Sequence, residues 1–333
     1  MVLALSALPS ICFPLFRLPI PSGPHPVGTR SLVVPTGRPD PFRPEPRVVA
    51  LQVWYPAVHG AEGPLAPYVE DPPMLAGLLG LLGLPRFVLG HLDRVPTVAV
   101  QNAAPASGAH PAVVFSPGRA GYRQEATGLC TDLASHGFVV VAVDSPSTSS
   151  GVRLPDGVVG LDPRMVDASF VDRVVPIVAA DLSDVRRQLP AIRGVGVVDT
   201  ARVGVLGISL GGEAAAEACL DDPAFAACAV LDLWVSDRVA RAGLRRPVLL
   251  LARDAETMRR EGWAEEAVQR TLRTLDAVQH RSAAPVWAVT RTGLFHADFG
   301  DAASISPLVR LLGISGVSSP EVAHEEVVPC VRA

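Results

Sequence analysis

Hydrophobic residues along the chain fall into short dense runs, separated by stretches with helical spacing. Arg47–Tyr55 (RVVALQVWY) reads as a strand that Pro56 ends. Ala112–Ser116, Phe138–Asp144, Arg202–Ile208, Ala226–Leu231, Pro247–Ala252 and Pro285–Thr290 read the same way. Unbroken apolar runs of this length suit strands buried on both faces of a parallel sheet. Between them, Gln124–His136 has helical spacing and stops at Gly137. Pro163–Leu189 reads as a helix broken near Pro176, Leu210–Leu220 as an Ala-rich helix, and Glu256–Gln279 as one long amphipathic stretch. Strand and helix alternate, so the expectation is an α/β fold: a mostly parallel central sheet of about eight strands with helices on both faces.

Two regions stand outside this rhythm. Pro is dense from Pro19 to Pro46, where extended, irregular chain is expected. Met74–Gly90 (MLAGLLGLLGLPRFVLG) is Leu-rich, with Gly77, Gly80 and Gly83 at every third position. It is too short and too Gly-rich to span a bilayer. It reads either as a helix packed on the sheet or as a mobile apolar cover, within an insertion at 64–95, over an acyl-binding cleft or facing lipid. No repeat or linker follows Pro46, so residues 19–333 read as one domain behind an apolar tail, 1–18. That tail lacks a basic start and is interrupted by Pro9 and Pro14. It makes a poor signal peptide and reads as a tail or the remnant of an export segment, which leaves the compartment open. The acidic stretch Glu321–Glu326 reads as solvated.

Composition removes several function classes. The net charge of −4 gives no basic footprint for nucleic acid. All 29 basic residues are Arg. Without Lys there is no Walker-type phosphate loop, no pyridoxal-phosphate Schiff base, no Ser–Lys dyad and no kinase lysine. The single Asn, Asn102, argues against a Cys–His–Asn protease. Cys12, Cys130, Cys219, Cys228 and Cys330 are scattered and odd in number, which indicates neither a disulfide framework nor a zinc site. Cys130 and Cys219 fall in predicted helices and Cys228 in a predicted strand, where cysteines act as small hydrophobes. No metal or organic cofactor is expected.

The string Arg202–Gly212 (RVGVLGISLGG) contains G-x-S-x-G at Gly207, Ser209 and Gly211. An apolar strand runs into Ser209 and an Ala-rich helix leaves it, the context in which this motif forms a nucleophile elbow. Ser hydroxyls need a base, and in this arrangement the chain order is Ser, acid, His. Downstream lie only His280, His296 and His324. His296 follows the last predicted strand in the loop Thr292–Phe299, where a base would overhang the sheet's C-terminal edge. For the acid, Asp232 and Asp254 each follow a strand, and position alone does not choose. The oxyanion donors are expected to be the N–H groups of Leu210, directly after the nucleophile, and of Arg119 in the loop Ser116-Pro117-Gly118-Arg119.

With these residues in place, the chain resembles the secreted-type platelet-activating factor acetylhydrolases and their bacterial relatives. The resemblance runs from about Arg17 to the C-terminal region. It is carried by RLPIPSGPHPVGT (Arg17–Thr29), VWYPA (Val53–Ala57), VVFSPG (Val113–Gly118), LASHGFVVVAVD (Leu133–Asp144), GISLGG (Gly207–Gly212), LDLW (Leu231–Trp234) and HADFGD (His296–Asp301). The resemblance implies an α/β-hydrolase fold and places the acid at Asp232. It also implies calcium-independent removal of short or oxidised acyl groups from phospholipid-like esters, with transient contact to a lipid surface. The chain departs from the family at Pro117, where His is common, at Arg119, where a hydrophobic residue is common, and at Ile208, where His or an aromatic is common. These departures bear on substrate choice. Two other readings stay open: a polyester, dienelactone-type or general carboxylesterase, in which Asp254 would be the acid, and a catalytically silent binding module.

Overall fold

The structure is a computed structural model and describes residues 14–332. Its centre is a ten-stranded sheet in the order β12-β11-β10-β9-β5-β6-β2-β1-β4-β3. The strands are β1 Val27–Pro39, β2 Pro46–Pro56, β3 Leu65–Pro67, β4 Pro96–Gln101, β5 Ala109–Ser116, β6 Val139–Asp144, β9 Val197–Ile208, β10 Ala227–Leu231, β11 Val248–Arg253 and β12 Val286–Arg291. The half from β6 to β12 is parallel throughout. β2 runs antiparallel to both β6 and β1. A separate hairpin, β7 Gly151–Leu154 with β8 Gly157–Gly160, lies outside this sheet.

The period-two alternation of side chains sorts each central strand between two cores. Val114, Val141 and Val205 face one cluster, with helices Ala168–Gln188, Leu210–Asp221 and Glu265–Arg281 over them. Phe115, Val140 and Leu206 face the other, beneath helices Thr127–Ser135 and Pro320–Arg332. All six of these side chains are buried. Burial of each is worth roughly 1.5–3 kcal/mol, so the parallel centre is a rigid platform whose strand ends carry the site.

The sheet has ten strands where about eight are expected, and the additions gather at one edge. β1 runs through the Pro-rich stretch expected to be irregular. Prolines are tolerated there because β1 bonds β4 only at Gly28 and Thr29. Beyond that point one side of the strand is an open edge, where a missing N–H breaks no ladder, and the pairing with β2 shifts register between Pro35 and Pro39. β3 and β4 flank the Leu-rich insertion and are too short to announce themselves in the sequence.

Pro176 does not break its helix: Ala168–Gln188 runs through it. Pro176 and Asp172 are both exposed, so the carbonyl that loses its partner meets water. The buried stripe Phe170, Val174, Val178, Leu182 and Val185 holds the turns together. The Glu256–Gln279 stretch is two helices, Ala255–Arg260 and Glu265–Arg281, parted at Gly262. Gly262 takes φ +92°, which a continuing helix excludes. The acidic C-terminal stretch is a helix whose inner face, Ala323, Val327 and Val328, is buried, with Glu321 and Glu325 on its exposed side. Cys130, Cys219 and Cys228 are buried in helix, helix and strand. Cys12 and most of the 1–18 tail lie outside the described residues, although Phe16 packs edge-on to Tyr68.

Candidate active site

β9 delivers Ser209 at its C-terminal end, and the helix Leu210–Asp221 begins at the next residue. Ser209 has φ 57° and ψ −130°, a backbone conformation costly for any residue but Gly. The glycines make that turn feasible. A Cβ on Gly207 would run into the Gly211 carbonyl, and one on Gly211 into the carbonyls of Ser116 and Pro117. The elbow is tied to the neighbouring strand by the Ser209 N–H, which donates to the Leu231 carbonyl at 2.8 Å.

Asp232 directly follows β10 and also has a positive φ, 54°. Its buried carboxylate accepts from His296 Nδ1 at 2.7 Å through Oδ2. Burial pushes this carboxyl's pKa up, but the bond and charge of His296, together with the Arg253 guanidinium, outweigh it and hold the group below its ordinary value. Asp254, the other candidate acid, caps the helix Ala255–Arg260 instead, accepting from Thr257 N at 2.9 Å and Thr257 Oγ1 at 2.6 Å. The structure therefore brings Asp232, not Asp254, to His296. Of the other downstream histidines, His280 is exposed on its helix beside Asp276. His324 lies in the C-terminal helix, close to Gly128.

The loop after β5 touches the elbow. A Cβ on Gly118 would sit 3.3 Å from that of Ser209, so Gly is needed for the approach. The Gly118 N–H donates to Glu125 Oε1 at 2.7 Å and the Ala120 N–H to the Thr148 carbonyl at 3.0 Å. The Arg119 N–H lies in the chain between these two committed groups. The Arg119 side chain is exposed and reaches the Met165 carbonyl at 3.4 Å. Ala120, Ser209 and Asp232 all have positive φ, so backbone strain collects around the site. Glu125 is partly buried at the cavity wall, and desolvation pushes its carboxyl up to about 8, against hydrogen bonds from the Gly118 and Tyr122 N–H groups. Asp301 is raised to about 7, chiefly by burial.

Ser209 and His296 open into one cavity of about 390 Å³. Its roof is the Met74–Gly90 segment, which folds as short turns rather than one helix: Pro72–Leu75, Ala76–Leu81 and Arg86–Leu89. Gly83 takes φ 66° between the last two. Leu79 and Leu89 anchor the roof inward on Tyr68 and Tyr122, while Leu82 and Leu84 line the cavity with partly exposed side chains. Ile305, Leu308, Val309 and Leu312 close the opposite side. A larger hollow of about 840 Å³ beside Trp287 and Pro329 contains none of the candidate residues.

Around the Asp232–His296 pair the structure adds groups that the sequence did not single out. Arg253, buried at the end of β11, places Nε 2.9 Å from Asp232 Oδ1 and 2.8 Å from Oδ2. Its Nη1 pairs with Glu261. Trp263 lies beneath the Arg253 guanidinium at 4.6 Å and edge-on to the His296 ring at 5.4 Å. The signal was present in Glu261-Gly262-Trp263, because a Gly within an amphipathic stretch marks a break that can redirect its neighbours.

A search of solved structures finds this arrangement of elements over nearly the whole chain. The ferulic acid esterase from Streptomyces cinnamoneus superposes with a TM-score of 0.77 at 28% identity, covering 96% of this chain and 91% of that one. The chain has the α/β-hydrolase fold of that esterase. Two family models agree: PET hydrolase-like over residues 98–262, and platelet-activating factor acetylhydrolase, isoform II, over residues 11–153. Among curated proteins, this chain is 28% identical over 142 residues to the platelet-activating factor acetylhydrolase of Gallus gallus, a match covering 40% of the chain and 32% of the chicken enzyme. The chain thus aligns with about a third of that relative's length. The likeness to acetylhydrolases read from the sequence is shared by the second family model and the chicken enzyme.

Proposed function

We propose that this hydrolase cleaves carboxylic esters through an acyl-enzyme formed on Ser209. The observation that carries the reading is the 2.7 Å bond from His296 Nδ1 to Asp232, which leaves the far ring nitrogen for Ser209 in the shared cavity. His296 takes the Ser209 proton as the hydroxyl attacks the ester carbonyl. The N–H groups of Leu210 and Arg119 receive the oxyanion, helped by the positive end of the helix that begins at Leu210. His296 then protonates the leaving alcohol, takes a proton from water as the water attacks the acyl carbonyl, and returns that proton to the Ser209 oxygen as the acid leaves. The buried Asp232 carboxylate orients the imidazole and offsets the charge it acquires.

For the substrate, we propose short or oxidised acyl groups on phospholipid-like esters. The cavity's Leu, Val and Ile lining suits an apolar acyl chain of limited length. Phe87, Leu311 and Leu312 are exposed on the segments that form its walls, which supports transient contact with a lipid surface. A second reading, an aryl or general carboxylesterase, is favoured by the near-full-length likeness to the ferulic acid esterase.

The test is hydrolysis of p-nitrophenyl esters from acetyl to dodecanoyl, of methyl ferulate, and of a short-acyl phospholipid, wild type beside Ser209→Ala. Ser209-dependent cleavage of short acyl esters and the phospholipid supports the first reading. A strong preference for methyl ferulate supports the second. No Ser209-dependent turnover of any ester overturns both.

A further inference from the structure

Four side chains form a closed ring around the proposed base. Asp232 accepts from His296 Nδ1 at 2.7 Å, and the His296 backbone N–H donates to Glu261 Oε1 at 3.1 Å. Glu261 pairs with Arg253 Nη1, and Arg253 returns to Asp232 through Nε and through its backbone N–H at 3.2 Å. The ring joins three separate elements: the end of β10, the end of β11 with the Gly262 break, and the turn that starts at His296.

A buried ion pair is weak ground for stability, since apolar residues of equal volume often serve as well. Charge placement gives this one a different value. An Arg beside Asp232 would by itself cancel the negative charge that favours the imidazolium. Glu261 restores it: one cation between two carboxylates leaves the single negative charge a lone Asp232 would supply. Arg253 therefore bridges the two carboxylates through two different nitrogens, Nε to Asp232 and Nη1 to Glu261, a span that the single ammonium of Lys cannot reproduce, while Glu261 cancels the electrostatic side-effect and holds the His296 main chain.

We propose that Arg253 and Glu261 are positioning residues of this site: the pair fixes Asp232 and His296 relative to each other and sets the charge that His296 meets. The inference rests on the reading of His296 as the base. Other charged groups nearby are already committed. Asp298, in the same turn, accepts from the N–H groups of Phe295 at 2.7 Å and Gly316 at 2.8 Å, and from the Ser315 hydroxyl. Asp301 accepts from the Gly128 N–H at 3.2 Å. Arg260 lies over the Phe295 ring at 5.6 Å. Across the cavity stand Glu125, protonated below about 8, and the exposed Arg119.

The two partners should act with opposite signs, which a purely structural pair would not do. Arg253→Met leaves two carboxylates near the imidazole, and the acidic limb of the kcat/KM profile moves to higher pH by about one unit. Glu261→Gln leaves the Asp–Arg pair neutral, and the limb moves to lower pH by a similar amount. The double variant returns the limb to the wild-type position while kcat stays lowered. Arg253→Lys keeps the limb in place and lowers kcat, because the two-nitrogen bridge between Asp232 and Glu261 is lost. The same midpoints are read in the full-length protein from the His296 ring signals by NMR, assigned with His296→Gln. That readout needs no turnover, so failure of the esterase reading and failure of this one are separable. Near-UV circular dichroism checks that each variant folds, and Glu261→Gln with Arg253→Lys suffice if Arg253→Met does not. Limbs that move in the same direction, or a Glu261→Gln midpoint unchanged from wild type, overturn the proposal.

Discussion

Glu125→Gln isolates one desolvated carboxyl in the cavity of the candidate nucleophile. Glu125 accepts the Gly118 N–H at 2.7 Å, and a Gln keeps that acceptor in the same place. The folded protein holds the Glu125 proton up to about 8, whereas the unfolded chain releases it near the ordinary 4.5. Between these values the folded state binds more protons than the unfolded one, so the contribution to stability is full below about 4.5 and is lost as pH rises toward 8. The loss between pH 5 and pH 8 is roughly 3 kcal/mol. Gln cannot ionise and removes this component. Urea unfolding of both proteins at pH 5, 6, 7 and 8 measures it: the stability of Glu125→Gln relative to wild type should climb steadily by an amount of this order. Parallel stability curves across that range would refute the assignment of a desolvated, proton-holding carboxyl beside the Gly118 loop. The raised Asp301 carboxyl, at about 7, adds a slope of the same sign to both proteins.

Three further outcomes are expected. Asp232→Asn should lower kcat on the order of 10³–10⁴-fold, while Asp254→Asn, a capping change, should cost up to about 1 kcal/mol of stability and leave ester turnover near wild type; p-nitrophenyl ester kinetics and thermal melts separate the two. Leu79→Ala, in the buried half of the roof, should destabilise by about 2–4 kcal/mol. Leu82→Ala, half exposed on the cavity wall, should stay within about 0.5 kcal/mol of wild type but shift acyl-length preference toward longer chains, read from the ester series. Gly207→Ala places a methyl against the Gly211 backbone, which cannot yield without undoing the elbow, so fluorophosphonate labelling of Ser209 should be lost even in folded protein.

Much of the fold was legible because buried parallel strands write themselves as dense apolar runs. Every strand predicted from Arg47 onward is present within a few residues of its expected ends. What escaped was short or edge-bound. β1 carries Pro35 because its outer side has no partner over that length, and β3 has three residues. In the site, Ser209, His296 and Asp232 stood at strand ends that the pattern located. Arg253, Glu261 and Trp263 did not stand out, because they depend on a helix ending at Gly262 that amphipathic spacing ran straight through. Glu125 was hidden for a different reason: a single carboxylate at the start of a predicted helix gives no sign that the helix begins later, at Thr127, and leaves it facing the cavity.

The elbow, the acid and the base lie at the ends of successive structures, with His296 reached only after β12 has been laid down. A chain emerging from the ribosome can therefore form the Ser209 turn long before it has anything to activate it. The strand pairings that bring β5 beside β9 also join distant parts of the sequence, a topology that folds slowly. Ester turnover should thus be among the last properties to return on refolding, later than helix content. The catalytic signal would report completion of the sheet through β12, and a growing chain would remain inert until His296 is free to fold onto it.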